Sequence, residues 1–403
     1  MRAIEVLQNS LPNALGNMHA GRRHALACAV DALLAGRRLT LIDVARAWPG
    51  AERVRAPLKA LDRLLSNRHL HGERMQVYAG IAMHLARETQ PIIVVDWCDL
   101  KADRSWHLLR AAVPVGGRAL PLLDMVFPDG EQNSPQAERT FLRQLQAIVP
   151  PGIHPIVVTD AGFRAPWFRA VTAMGWAWLG RLRHTTLIKP TTVADETDQW
   201  VPCKALYALS SGSPRDMGLM DMVRNRPLTT RVALLHKSPR GRKQRTRQGR
   251  PSRSSNSRKN AAREREPWII VASPALAISP AQMMATYAKR MQIELSFRDL
   301  KSHRYGQGFE DSLTRKGKRI EILLLIQALA AFVCWLVGRL GEQSGLDTKL
   351  APHGCRRQRR WYSLVRLGQE LLLHDWLRPR RSALIDQLRN PPPALLDQMA
   401  LRT

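Results

Sequence analysis

PIIVVDWCDL (residues 91–100) and HPIVVTDAGFRAPWF (154–168) carry the reading of the fold. Each is a short β-branched run that follows a proline and meets an aspartate: Asp96 after Ile92–Val95, Asp160 after Ile156–Thr159. Such runs read as buried strands, with each acid near the C-terminal end of its strand. An acid there is costly to desolvate unless a cation or a partner offsets it, and the carboxyl ends of strands are where open α/β sheets gather ligands. A lone aspartate at such a point also serves as a helix cap or a turn former. Asp160, followed by Gly162 and a helix predicted to begin near Arg164, fits that alternative as well.

Working outward, 107–115 and 119–127 read as two further strands joined by a turn at Gly116-Gly117. A helix is predicted over about 134–149, another over 165–174, and a strand over 176–183. Three strands in a meander, then helix, strand, helix, strand, is the order of an RNase H-like domain, an α/β fold. That fold takes one metal-binding acid from its first strand and a second from its fourth, and Asp96 and Asp160 fall on those two.

A third acid lies downstream. In YAKRMQIELSFRDLK (287–301), Tyr287, Arg290, Glu294 and Lys301 are spaced i, i+3, i+7 and i+14, which places them on one stripe of a single helix. One carboxylate with two cations and a phenol suits a face that holds a divalent metal and grips phosphate together. A solvated helix face shows the same charge pattern.

The flanks point to a polyanion. With 62 Lys and Arg against 33 Asp and Glu, the chain carries +29, and self-repulsion of that size suits a protein whose partner is nucleic acid. The tract from Lys237 to Arg263, which includes Lys243 and Arg245, contains no acid and little apolar surface. It reads as a mobile cationic loop that neutralises phosphate without reading sequence. Residues before about Leu85 read as all-helical. Within them, 39–67 predict a short helix after Thr40, a break at Pro49-Gly50 and a longer helix carrying Arg53, Arg55, Lys59 and Arg63, a helix-turn-helix compatible with major-groove docking. The apolar run Ile322–Val337 is shorter than the roughly 20 residues needed to span a bilayer and reads as a buried core helix, with no membrane partner. The five cysteines lack the spacing of a zinc site or disulfide framework, and no secretory signal opens the chain. A cytoplasmic location, on the bacterial nucleoid, follows as the expectation.

These motifs resemble those of the DDE transposases of the bacterial insertion sequence four family, whose signature is Tyr, two residues, Arg, three residues, Glu, six residues, Lys. Tyr287, Arg290, Glu294 and Lys301 match it without departure. VVDWCD is similar to the family's first acidic block, DAGFRAPWF with GRLR to its second, and the likeness runs from the N-terminal helices to SLVRLG near the C-terminus, close to the transposon-ten-like subgroup. The resemblance implies an RNase H-like core (89–186) interrupted by a β-rich insertion (187–278, with the basic loop 237–263) and completed by a catalytic helix (279–310). A helical DNA-binding domain (1–88) precedes it and a helical region (311–403) follows. It implies that Asp96, Asp160 and Glu294 hold two Mg²⁺ ions, with Mn²⁺ able to substitute. Tyr287, Arg290 and Lys301 would then grip phosphates, and Trp268 would stack on a flipped base in a hairpin step. Arg164, Arg183, Lys243, Arg245, Arg53, Arg55 and Lys59 are the further expected DNA contacts. The partners implied are double-stranded DNA, as inverted-repeat ends and target, and a second copy when two ends pair. A non-catalytic repressor and a nuclease that cuts without joining are the alternatives.

Overall fold

The structure, a computed structural model, describes residues 3–86, 90–183, 186–191, 199–238, 250–255, 257–258, 262, 265–350 and 360–374. The chain divides into two compact units, residues 1–155 with 290–402, and residues 156–289. Lys243, Arg245 and most of the basic tract lie outside the described residues.

The first unit opens with helices α1 (Ala3–Ser10), α2 (Pro12–Gly16), α3 (Ala20–Gly36), α4 (Leu41–Arg46), α5 (Arg55–Leu65) and α6 (Arg68–Leu85). Thr40 caps α4 by accepting from the Asp43 N–H at 3.2 Å, and Asn67 caps α6 by accepting from His69 and Leu70 N–H, each satisfying orphan donors of a first turn. The second cationic helix starts later than the sequence predicts. Arg53 lies in the bend before α5, and only Arg55, Lys59 and Arg63 ride the helix, all three exposed opposite buried Leu61, Leu64 and Leu65.

Strands β1 (Ile92–Asp99), β2 (Trp106–Pro114) and β3 (Ala119–Pro128) form an antiparallel meander, and helix α7 (Pro135–Ile148) follows behind its Ser134 cap. Gly116 and Gly117 make the predicted turn with φ of 81° and 98°, a region glycine enters without steric cost. β1 corrects one expectation. It continues through Trp97 and Cys98 to Asp99, pairing with Leu109, Leu108 and His107, so Asp96 stands inside the strand rather than near its end. The ladder passes the acid because its carboxylate is met by a cation, Arg290, at 3.0 Å.

Asp96, Arg110 and Asp124 form one cross-strand row. Arg110 and Asp124 are both fully buried and joined by two hydrogen bonds of 2.7 Å, and Gln327 accepts a third from Arg110 at 2.9 Å. Burial opposes the guanidinium charge, yet Asp124 outweighs it and holds the Arg110 pKa above its ordinary value.

The second unit begins with β4 (Ile156–Thr159), α8 (Ala165–Ala173) and β5 (Ala177–Leu182), the predicted strand, helix, strand. It adds β6 (Leu187–Pro190), β7 (Val201–Pro202), β8 (Arg215–Met222), β9 (Leu228–Leu235) and β10 (Trp268–Ala272) before α9 (Pro280–Ala288). Its strands are ordered β4-β5-β10-β9-β8-β6-β7. β4 and β5 run parallel and the other pairs antiparallel. β10 lies between β5 and β9, so the β-rich segment continues the sheet that β4 and β5 begin. β8 is invisible in the sequence because its ladder slips between Asp216 and Leu219 around Gly218, at φ 72°, which breaks the two-residue alternation.

The first unit is completed by α10 (Met291–Lys301), α11 (Gly317–Gln343) and α12 (Leu364–Leu373). Here the single helix expected over 287–301 is two: α9 ends at Ala288, Lys289 and Arg290 turn, and α10 restarts at Met291. The apolar run is also longer than read. α11 spans 27 residues, long and apolar enough by composition to cross a membrane, and 89% of its most apolar window is buried inside the protein. Within its unit it packs on α1, α3, α5, α6, β3 and α12. It meets α12 closely: a methyl added at Gly338 would overlap the Leu364 carbonyl, and one at Gly368 the Cys334 carbonyl.

Two outcomes follow. Asp124→Asn should lower stability by about 3–5 kcal/mol in denaturant unfolding, because Arg110 is left buried and uncompensated, while replacing both partners with apolar residues should cost much less; equal costs would show that the charges do not act as a pair. Buried Glu138 on α7 has its carboxyl raised from 4.5 to about 7 by burial. A raised acid stabilises the fold when protonated, so its contribution is complete below pH 4.5 and lost as pH rises through about 7. Glu138→Gln should therefore gain on the unmodified protein between about pH 5 and pH 8; a pH-independent difference would refute the shift.

Candidate active site

Residues at both ends of the first unit's chain segments build an acidic pair around one arginine. Asp96, on β1, accepts from its neighbour's backbone, the Trp97 N–H, at 2.9 Å and from Arg290 Nη1 at 3.0 Å. The other Arg290 terminal nitrogen, Nη2, donates to Glu294 Oε1 one turn along α10. The Arg290 and Asp96 side chains are 10% and 13% exposed, whereas that of Glu294 is 44% exposed. The guanidinium thus holds two carboxylates together while one of them still faces solvent.

α10 is aimed by a polar stripe opposite to that face. Gln292 Oε1 accepts from the Gly117 N–H at 2.9 Å, and the Ser296 hydroxyl accepts from the Ala119 N–H and donates to the Ala119 carbonyl, both at 2.9 Å. Asp299 pairs with Arg118. Positions 292, 296 and 299 share one helix face, so the β2–β3 turn fixes α10 in rotation and in height. Ile293, Phe297 and Leu300 fill the buried face between, and the Arg110 guanidinium stands 5.6 Å from the Phe297 ring centroid. None of Gln292, Ser296 or Asp299 was picked from the sequence. Their i, i+4, i+7 spacing was the available signal, and it is the pattern any solvated helix face shows.

Lys301, at the end of α10, donates to the Asp99 carbonyl at 3.0 Å. Asp99 itself accepts from buried His107 Nδ1 at 2.9 Å and from Gln132 at 3.3 Å. These contacts close the end of β1 beyond Asp96. The Cys98 thiol beside them is raised to about 11 by burial, with Lys301 opposing the rise, so it is a packing group and not a thiolate ligand.

The second unit presents its own cluster. Asp160 follows β4 and accepts from the Gly162 N–H at 2.7 Å, so it forms a local turn and does not cap α8, whose N-cap is Arg164. With Arg164, at the N-cap of α8, and with Arg181 and Arg183, at the end of β5 and just beyond it, it lines a cavity of about 520 Å³. Burial, and then the neighbouring Arg183, lower the pKa of Arg181. Arg183 lies 3.9 Å from Glu266. Three arginines against one aspartate make this an anion-favouring hollow.

Trp268, first residue of β10, is half-buried, with Tyr287 edge-on at 5.2 Å, Arg181 at 5.8 Å and Lys237 at 4.8 Å from its ring. Tyr287 is 5% exposed. Tyr287, in the last turn of α9, is the packing partner of Trp268. Arg290, Glu294 and Lys301 belong to the first unit, Arg290 at the start of α10 and the other two within it.

Asp96 and Glu294 present carboxylate oxygens, the donors that hard divalent cations take, and a cationic group already bridges them. The donor chemistry therefore fits a divalent metal. Among the described residues no group of three or more His, Cys, Asp or Glu is gathered as a metal cluster, so the first unit offers a pair. Comparison with curated proteins finds no match. The Transposase DDE domain family, in contrast, matches residues 87–333, a span that begins just before β1, contains Asp96, Asp160, Arg290 and Glu294, and ends inside α11. On that match, and with a mixed α/β architecture consistent with the RNase H-like core of such enzymes, this chain belongs to the Transposase DDE domain family, and DNA transposition is the activity it implies.

Proposed function

We propose that this protein is the transposase of an insertion sequence of the transposon-ten-like subgroup of the insertion sequence four family. It would act by cut-and-paste through hydrolysis, hairpin formation and strand transfer at terminal inverted repeats. The observation that carries the reading is the Asp96–Arg290–Glu294 constellation on β1 and α10, inside a stretch matched to a DDE transposase domain. Its third acid is Asp160, at the end of β4.

Asp96, Asp160 and Glu294 would hold two Mg²⁺ ions, or Mn²⁺ in their place. Bound there, such a pair supplies an activated water or 3′-hydroxyl on one side of the phosphodiester and charge neutralisation of the leaving oxygen on the other. The chain's own residues do the rest. Arg290 keeps the two carboxylates of its unit together before DNA arrives, and it can turn its guanidinium to a phosphate oxygen once they are neutralised. Lys301 holds the end of β1, and Gln292, Ser296 and Asp299 hold α10 at a fixed rotation, so Glu294 is positioned rather than searching. Arg164 and Arg183 receive phosphate in the hollow beside Asp160. Trp268 offers a half-buried ring backed by Tyr287, with Lys237 over it, to a base that leaves the stack at the hairpin step. Arg55, Lys59 and Arg63 form an exposed cationic face for the flanking duplex. Two copies pair the two ends, and the protein works in the bacterial cytoplasm on the nucleoid.

Glu294→Gln, Asp96→Asn and Asp160→Asn should each keep binding to end DNA and abolish nicking in Mg²⁺, and double variants should be scarcely worse than singles because the three act as one unit. A Glu294→Gln protein that cuts and joins at the unmodified rate removes that residue from the site. An unmodified protein that binds ends but never cuts them points to the repressor, and one that cuts but never joins points to the nuclease.

Trp268→Ala should accumulate nicked ends at the expense of hairpins, since only the second step needs an unstacked base. A parallel fall in nicking and in soluble yield would make the ring a packing element instead.

A further inference from the structure

The first unit contains a second recess that the chemistry above does not use. It has a volume of about 710 Å³ and lies among α3, the end of α10, the turn after it, α11 and the start of α12. Its lining holds five arginines, Arg37, Arg118, Arg298, Arg304 and Arg366, against one carboxylate, Asp299. Asp299 is already engaged by Arg118, and Arg37 and Arg366 share Glu370 at 3.4 and 2.7 Å. Arg298 and Arg304 are exposed and have no acidic partner among the described residues. At the rim stand two of the most exposed aromatic side chains, Tyr305 at 67% and Trp361 at 52% exposure. The Arg304 guanidinium lies 5.1 Å from the Tyr305 ring centroid.

Large aromatic rings left in water are costly unless something covers them. A ring face next to uncompensated guanidinium is the pairing that binds unpaired nucleic acid: aromatics stack on bases, arginines take phosphates. The size decides against a duplex. A recess within the roughly 300–1,000 Å³ of a small-ligand site admits a splayed nucleotide but not a double helix, whose major groove alone is about 12 Å wide.

We propose that this recess is a binding site for an unpaired DNA strand, with Trp361 and Tyr305 stacking on bases and Arg298 and Arg304 holding phosphates. The site rests on the reading of the protein as a transposase and deepens it: the enzyme would hold a single strand at a place separate from the acidic pair.

The test uses the full chain in chelator, so that no cutting occurs, with fluorescent oligo(dT) and a blunt duplex of equal length as probes. Trp361→Ala should weaken oligo(dT) binding about tenfold, as loss of one stacked base does, and leave duplex affinity within about twofold; Trp361→Phe should restore most of the loss. Arg304→Gln should flatten the dependence of log affinity on log salt for oligo(dT) by about 0.7, one phosphate of a single strand. Unaltered oligo(dT) binding in Trp361→Ala, or equal losses on both probes, overturns the recess while duplex binding by the unmodified protein leaves the transposase reading standing. An unmodified protein that binds neither probe overturns both.

Discussion

The buried pair of Arg110 and Asp124 is the constraint from which the rest of the first unit is arranged. Both side chains are fully enclosed, and an ion pair in that position is costly to desolvate unless close hydrogen-bonding partners offset the loss of water. Arg110 therefore reaches beyond its cross-strand partner to Gln327 on α11 and lies against Phe297 on α10. Nearby, Arg74 on α6 donates to the Asp124 carbonyl and pairs with Glu321 at 2.9 Å. One charge on the middle strand thus specifies how two helices sit on the meander. Asp96 is the next residue in the same cross-strand row, so the row that organises the core also presents the acid. An apolar row would pack as firmly but would carry no such register.

α10 shows how one short helix serves three demands. Its apolar face is held in the core, its Gln292–Ser296–Asp299 face is tied to the β2–β3 turn, and its third face carries Glu294 and ends in Lys301. Hydrogen bonds to backbone atoms of a turn are position-specific in a way that apolar packing is not, which is why the docking face is polar. Arg290 sits where the helix starts, and its guanidinium spans from β1 to Glu294. The two carboxylates are thereby kept close, their mutual repulsion offset by one internal cation.

The split between α9 and α10 has a comparable logic. Tyr287, still within α9, packs on Trp268 in the second unit, and Arg290 opens the next helix in the first. Sequence periodicity does not show that break, because neither Gly nor Pro marks it and Lys289 and Arg290 are good helix formers.

Much of the architecture was legible in the chain. β-branched runs between prolines and glycines located β1 to β5 within a residue or two at most ends, since strand propensity and turn chemistry are local. The starts of α4 and α7 were legible for the same reason. The acids were legible because an aspartate at a buried strand needs a partner. What tertiary structure alone decided was contact over long separations. Arg110 was read only as part of a strand, although it bonds Gln327 more than two hundred positions away. Asp96 moved from the end of a strand to its interior because Arg290, not the local sequence, supplies its counter-charge. β8 was made a strand by its pairing with β6 and β9 across a ladder that its own sequence interrupts. Local residue types determined which elements form and which charges need partners; only packing determined who those partners are, because desolvation energies depend on what the whole chain brings together.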